Sequence, residues 1–203
     1  MSAVPAPLEA LRAATRQRHA RAEAALDLPA RCASPGGYAA ALGVLHSRHV
    51  GLERALDAAL AQHPLLADWA DRRGKPAWLE RDLSDLGGTP PAAAPLDLPP
   101  LDGPAAVLGC LYVVEGSTLG GRPAGRQVRT ALGPTAPTRF FDGYGDRTGP
   151  RWRSFCTALS QARPGTGTRD WTDSLVRAAA ATFGLFEEGA RRLPAPPRPV
   201  AVP

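Results

Sequence analysis

The sequence predicts an all-α protein. Apolar residues recur at helical spacing over long stretches, helix-starting and helix-ending residues flank these stretches, and no convincing β-strand alternation occurs. The 203 residues suffice for one domain with a buried core, and no internal repeat argues for a second. We expect a flexible N-terminus over residues 1–6, a helical domain over 7–193 and a disordered proline-rich tail over 194–203.

Helical periodicity and turn residues together predict the order of the elements. Helices are expected over residues 7–27, 35–62, 65–70, 75–86, 104–132, 150–161 and 169–193. The proline-rich stretch 87–100 suits neither regular element and is predicted to be a surface loop. Residues 133–149 are rich in turn residues and are predicted to form an irregular crossing between two helices.

The composition limits the classes of partner and the cellular setting. The formal net charge of +5 favours anionic partners, but there is no basic run or nucleic-acid motif, so we expect no nucleic-acid binding. Three cysteines without metal-type spacing (Cys32, Cys110 and Cys156) predict a reduced, cytoplasmic location. We also expect no export and no membrane association, because the chain shows neither a secretory leader pattern nor a long apolar run.

The first predicted helix carries a histidine among charged residues. His19 is expected on the apolar face, with Arg12 and Arg16 within about 60° of it around the helix. Glu23, one turn later, can accept a hydrogen bond from imidazole Nδ1 and leave Nε2 free for a metal. This pattern suits an iron ligand beside a cationic clamp for carboxylates, although a lone histidine on an apolar face is more often a hydrogen-bonded core residue.

The helix predicted over 104–132 carries glycine where large side chains would be expected. Gly109, Gly116 and Gly120 fall on one face, and each interior glycine costs roughly 1 kcal/mol relative to alanine. A bare face suggests that a flat ligand approaches the backbone closely, and the alternative is close packing against another helix. Pro123 follows the glycines and is expected to kink the helix, because it lacks a backbone donor.

At these motifs the chain resembles the heme oxygenase family, most closely its bacterial members that supply biliverdin to bacteriophytochromes. The resemblance is carried by LRAATRQRHARAE (11–23), LYVVEGSTLGGR (111–122), GYGDRTGPRWRSF (143–155) and LFEE (185–188). The first two motifs are specific as a pair, and the four lie in the order that the family shows. The resemblance implies a heme-oxygenase-like helical bundle that holds heme between the first helix and the glycine-bearing helix.

The same resemblance implies roles for individual residues. His19 would be the axial ligand of the heme iron, Glu23 would support it, and Arg12 and Arg16 would hold the propionates. The catalytic wall would comprise Gly116, Ser117 and Gly120, with further heme contacts from Gly121, Tyr112, Tyr144 and Arg153. Ser117 stands where many relatives carry an aspartate. For Arg153, a solvated helix position is the alternative. Phe183 and Phe186 could pack near the proximal face of the heme, but aromatics at this spacing are more often core residues, and the same holds for Tyr112 at the distal wall.

The implied activity is oxygen-dependent cleavage of heme to biliverdin, carbon monoxide and ferrous iron. It requires heme b as substrate and cofactor, molecular oxygen and an external electron donor, for which an acidic protein such as a ferredoxin is expected. The product would supply a bacteriophytochrome with its bilin.

Two other functions remain open at this level. A heme carrier would use the same ligand and clamp without oxidising the heme. A non-heme di-iron oxidase could use His46, His49 and Glu53, which share one helix, although this helix face also carries leucines.

Overall fold

The computed structural model describes residues 6–196, and every regular element in that range is helical. The longer helices are α1 (Ala6–Leu26), α3 (Pro35–Gln62), α5 (Lys75–Asp85), α6 (Pro104–Leu132), α8 (Thr148–Gln161) and α9 (Thr168–Arg191). Three single-turn helices, α2 (Leu28–Arg31), α4 (Trp69–Arg72) and α7 (Arg139–Asp142), and a 3₁₀ turn at Gly145–Arg147 connect them. The all-α prediction is confirmed.

The long helices begin and end close to their predicted limits, whereas the short ones differ. The helix predicted over 65–70 is instead a single turn, α4, and α2 was not predicted. The crossing predicted over 133–149 contains α7, the 3₁₀ turn and the start of α8. Single turns carry too little periodicity to be recognised from sequence. Ala6 already belongs to α1, while residues 1–5 and 197–203 of the predicted flexible ends lie outside the described residues.

Local sequence explains the ends of the two longest helices. The Ser34 hydroxyl accepts a hydrogen bond from the Gly37 backbone N–H at 3.1 Å, which caps the N-terminus of α3. Helix α6 begins at Pro104, whose missing N–H costs nothing in the first turn, and ends at Gly133 with a φ of 102°. Helix α6 continues through Pro123 without interruption.

The larger part of the core lies between α1, α6, α8 and α9, with leucines of α3 closing one end, and these first four helices position the candidate site. Helix α9 packs along both α1 and α6, and α8 contacts both α1 and α6. Large apolar side chains from these helices fill the space between them, including Leu11, Leu111, Phe155 and Leu175. A second apolar cluster joins α3, α5 and α7. Within residues 6–196, no helix is both long enough and apolar enough to cross a bilayer.

Candidate functional site

Helix α1 is divided into a buried face and a charged, exposed face. Leu8, Leu11 and Thr15 are buried, and the Thr15 hydroxyl donates a hydrogen bond to the Leu11 carbonyl at 2.7 Å. Arg12 and Arg16 are exposed on the other side. Both guanidinium groups are therefore accessible to an anionic ligand.

His19 lies at the edge of this exposed face. The prediction that it lies on the apolar face is wrong, because 58% of its side chain is accessible to solvent. Its Nε2 lies 3.2 Å from Oε1 of Glu23, so the ring presents Nε2 to the carboxylate, where the sequence analysis expected Nδ1. One side of the imidazole nevertheless meets the core, because its centroid is 5.2 Å from that of Phe183.

A series of aromatic rings connects His19 to helix α6. Phe183 of α9 lies 6.5 Å from Tyr112 of α6, centroid to centroid, in an edge-on arrangement. Tyr112 lies 6.2 Å from Trp152 of α8, and Trp152 lies 5.1 Å from Phe155. Phe183 and Phe155 are buried, while Tyr112 and Trp152 are half-buried. The half-buried rings of Tyr112 and Trp152 thus present apolar surface between the imidazole and the glycine-bearing helix, and the two buried rings support them.

The glycines of α6 serve two different purposes. A Cβ atom at Gly120 would meet no atom within 4 Å, and one at Gly116 would meet only the Trp152 ring, at 3.6 Å. At Gly109, by contrast, a Cβ would lie 2.2 Å from the Leu175 carbonyl oxygen. Gly109 is therefore a helix-packing glycine, whereas Gly116 and Gly120 leave the backbone open on the side that the rings approach.

Gly121 does not belong to the open surface. A Cβ there would lie 2.3 Å from the carbonyl oxygen of Phe141, so the glycine allows the backbone after α7 to approach α6. The prediction that Gly121 contacts a cofactor is replaced by this packing role, because Gly121 points about 100° away from Gly120 around the helix.

The polar groups beside the open glycines are exposed. Ser117 is exposed, and its hydroxyl donates a hydrogen bond to the Val114 carbonyl at 2.9 Å. Leu119, on the same stretch of α6, is 42% exposed, which is unusual for a large apolar side chain among the described residues. Arg153 of α8 is also exposed, next to Trp152. An apolar ligand with a polar edge would find contacts of both kinds here.

Tyr144 is placed differently from the prediction. A position at the rim was predicted, but Tyr144 is 7% exposed, and its hydroxyl lies 2.8 Å from Oε1 of Glu115. Lys75 Nζ donates a hydrogen bond to the same hydroxyl at 2.7 Å. Burial, with the neighbouring Glu115 carboxylate, raises the pKa of Tyr144 well above its ordinary value. Tyr144 thus belongs to a buried polar cluster and is not available to a ligand at the surface.

This buried polar cluster was missed by the sequence analysis. It consists of Arg72, Lys75, Glu115, Tyr144 and Arg151, each at most 7% exposed. Arg72 Nη1 donates to Oε2 of Glu115 at 2.6 Å, and Lys75 Nζ donates to Oε1 at 3.1 Å. Burial lowers the pKa of Arg72, but the Asp68 and Glu115 carboxylates outweigh it, so the net shift is upward. Two features of the sequence could have indicated this cluster. Lys75 is the single lysine of the chain, and Glu115 stands inside an apolar run.

The side chains of the predicted non-heme metal site make contacts with other protein groups. His46 Nε2 lies 3.1 Å from Oε1 of Glu80, and His49 lies between the rings of Phe140 and Phe186. The Glu53 carboxylate accepts the backbone N–H of Lys75 at 2.9 Å. In the part of the chain that the structure describes, no three potential ligand side chains converge on one metal position. The three side chains thus have separate partners and do not point to a common metal position.

Comparison with known proteins decides the family. A protein of Xanthomonas campestris named heme oxygenase is 36% identical to this chain over 118 residues, which make up 58% of the chain and 67% of that protein. The chain belongs to the heme oxygenase family.

The fold agrees with this assignment. The heme oxygenase of Neisseria meningitidis, solved with NO and CO bound, superposes with a TM-score of 0.75 and covers 93% of this chain and 92% of its own. The two sequences are 20% identical, so this likeness concerns the fold alone. The sequence matches no protein-family model. As a heme oxygenase family member, the protein is an enzyme with the all-helical fold of its relatives.

The residues at the open surface fit heme as a ligand. A flat macrocycle needs apolar side chains to pack against, which the aromatic rings provide, and a wall without side chains, which Gly116 and Gly120 provide. Its iron needs an accessible imidazole, which only His19 offers at this surface. Of the other three histidines, His46 and His49 are buried, and His63 lies at the C-terminal end of α3.

Proposed function

We propose that the protein binds heme between α1 and α6 and cleaves it to biliverdin, carbon monoxide and ferrous iron. Heme is the substrate, and its own chemistry with dioxygen and electrons opens the macrocycle. The observation that carries the proposal is the exposed His19 imidazole, which aromatic rings connect to the open glycines of α6. Family membership supports the same conclusion.

The protein's own residues would bind and orient the substrate. His19 would ligate the iron through Nε2 after the ring rotates so that Glu23 accepts from Nδ1, which raises the basicity of the ligand. Arg12 and Arg16 would hold the propionates through charge-assisted hydrogen bonds, with Arg153 on the opposite edge. Tyr112 would support the glycine wall from below.

On the opposite side, Gly116 and Gly120 would let the backbone of α6 lie directly over the macrocycle, because no Cβ intervenes. Ser117, in place of the aspartate of many relatives, is exposed and would order water there with its hydroxyl. The open glycine wall favours oxidation of heme over storage of heme. A protein that only carries heme does not need bare backbone above the macrocycle.

The electron donor and the recipient of the product are proposed from charge and resemblance. Arg12, Arg16, Arg18 and Arg21 are all exposed on α1, and they give this end of the molecule a basic surface. We expect an acidic electron donor such as a ferredoxin to dock there in the cytoplasm. The likeness of the motifs to bacteriophytochrome-associated relatives supports delivery of the bilin to such a photoreceptor.

Reconstitution with hemin tests the proposal. We expect a histidine-ligated heme spectrum in the purified protein, and biliverdin absorbance when ascorbate or a ferredoxin system supplies electrons under air. His19→Ala is expected to abolish the native ligation and turnover. The matched control is His63→Ala, since His63 lies at the far end of α3.

Three outcomes separate the candidate functions. Biliverdin formation supports heme oxygenase activity, heme that persists unchanged with reductant indicates a carrier, and the absence of a Soret band refutes a heme function. An unchanged heme spectrum and turnover in His19→Ala would show that another residue ligates the iron.

A further inference from the structure

Arg72 bridges helices α6 and α8 through hydrogen bonds to Glu115 and Arg151, which are the residues just before two members of the candidate site. Its side chain is fully buried, and Nη1 donates to Oε2 of Glu115 on α6 at 2.6 Å. Nη2 donates to the backbone carbonyl of Arg151 on α8 at 3.1 Å. Nε donates to Asp68 one turn earlier, at 2.7 Å. One planar guanidinium thus satisfies acceptors on α6, on α8 and at the start of its own helix α4, which a lysine ammonium cannot reproduce with the same geometry.

Glu115 and Arg151, which Arg72 anchors, are each followed in sequence by a residue of the candidate site, and these two residues face each other. Gly116 follows Glu115, and Trp152 follows Arg151. The Trp152 ring lies 3.6 Å from the position that a Cβ atom of Gly116 would take, so the indole faces this stretch of bare backbone and leaves room for a methyl group between them. Because each peptide unit is rigid, a movement of either anchor moves the contact between indole and glycine.

The rest of the cluster holds the Arg151 anchor in place. The Arg151 guanidinium lies over the Tyr144 ring at 4.2 Å, and its Nη1 donates to the Asp71 carbonyl at 2.6 Å. The Tyr144 hydroxyl in turn contacts both Lys75 and Glu115. Stability alone does not require such a cluster, since well-packed apolar residues stabilise a core equally well. Its defined geometry points to a positioning role.

We propose that Arg72 is a positioning residue that sets the place of Trp152 against Gly116 and thereby the in-plane orientation of bound heme. This inference rests on the proposed function, because Trp152 must form a side wall of the heme site. The orientation of the macrocycle decides which meso carbon lies under the open glycines. Arg72 therefore governs which biliverdin isomer forms, without touching the substrate.

Arg72→Lys tests the inference while keeping the positive charge. Its matched control is Arg73→Lys, because Arg73 is the adjacent arginine and, among the described residues, forms an ion pair with the half-buried Asp57 alone. The first readout is the ratio of biliverdin isomers, separated by chromatography. We expect Arg72→Lys to change this ratio by roughly tenfold, since small misplacements of positioning groups have large effects on rate. Arg73→Lys should retain the wild-type ratio.

Two further readouts do not depend on turnover. The heme methyl proton resonances of the cyanide-bound ferric protein report heme orientation, and we expect a second set of resonances in Arg72→Lys. In the heme-free protein, the indole N–H resonance of Trp152, assigned by its loss in Trp152→Phe, should shift. The Trp171 resonance should stay in place, because Trp171 lies on α9.

If Arg72→Lys does not fold, Trp152→Phe tests the same side wall, with Trp171→Phe as its control. A changed isomer ratio or a second set of heme resonances in Trp152→Phe alone supports the inference. Unchanged ratios and resonances in every folded variant would overturn it, even if the biliverdin yield fell. In that case normal biliverdin formation by the wild type would leave the proposed function standing. Failure of the wild type to bind heme would overturn both.

Discussion

Individual glycines in α6 have opposite environments although they share one helix face. Gly109 is held by the carbonyl oxygen of Leu175, where even a methyl group has no room. Gly120 faces open space. The same residue type thus allows close helix packing at one end of α6 and leaves the backbone accessible at the other.

This difference predicts opposite effects of alanine on stability. Gly109→Ala should lower the free energy of unfolding by about 1–3 kcal/mol, because the added methyl overpacks the α6–α9 contact. Gly120→Ala should raise it by up to about 1 kcal/mol, since alanine is the better helix former and meets no neighbour. Chemical denaturation of both heme-free variants provides the measurement.

Gly120→Leu extends this comparison to function. The variant should remain folded but lose biliverdin formation, because its side chain would occupy the space above the macrocycle. Equal destabilisation by Gly109→Ala and Gly120→Ala would show that the whole glycine face serves helix packing. Full biliverdin yield from Gly120→Leu would place the heme elsewhere.

At the scale of the element, α1 combines a core-packing face with a basic face. The buried face packs on α9 and α8, so the orientation of α1 is determined by apolar contacts. The exposed arginines contribute little to that packing. Their charge can therefore be changed to test ligand binding without disturbing the helix.

Charge reversal on α1 should distinguish arginines that contact the heme propionates from arginines that only contribute to the basic surface. Arg12→Glu with Arg16→Glu should weaken heme binding by roughly tenfold or more, since each contact at this exposed edge is worth about 1 kcal/mol. Arg18→Glu with Arg21→Glu is the control, because it changes the net charge equally on other sides of the helix. Heme titration gives both dissociation constants. Equal values for the two double variants would show that the propionates point elsewhere.

At the scale of the whole molecule, a buried histidine links three helices. His49 of α3 lies between Phe140 of α7 and Phe186 of α9, with ring centroids 5.3 and 5.2 Å away. Its Nδ1 has no hydrogen-bond partner within the described residues. Burial, together with the charges of Lys75 and His46, lowers the pKa of His49 to about 3. The ring is therefore neutral in the folded protein.

This histidine predicts a loss of stability in mild acid. An unfolded chain protonates His49 near its ordinary pKa of 6.5, whereas the folded protein does so only near 3. Between these values the unfolded state binds more protons, so the free energy of unfolding falls as the pH falls. The loss is up to about 1.4 kcal/mol per pH unit, or about 2 kcal/mol from pH 6.5 to 5.

Denaturation curves between pH 7 and 4 test this prediction. His49→Phe keeps an aromatic ring between its neighbours and should show a shallower pH dependence than the wild type. His63→Gln is the control, because His63 is only half-buried at the end of α3. Parallel pH dependences for the wild type and His49→Phe would show that the pKa of His49 is the same in the folded and unfolded states.

The sequence by itself predicted the candidate site only in part, because Gly121 and Tyr144 are buried away from it, but it determined the long helices. Their limits depend on local features, such as the Ser34 cap, Pro104 at a helix start and Gly133 at a helix end, which act within a few residues. The grouping of His19 with its two arginines is likewise local, because helical spacing alone places them on one side of α1. Helix ends and the spacing of residues on one helix can therefore be predicted from the sequence.

Tertiary structure alone decided how these helices face one another. Helical spacing aligned Gly109 with Gly120, but only the position of α9 separates the packed glycine from the open one. The pairing of Arg72 with Glu115 and the burial of Tyr144 bring together residues that are far apart in sequence. Periodicity records which residues share a side of one helix, and it contains no information on which other helix covers that side.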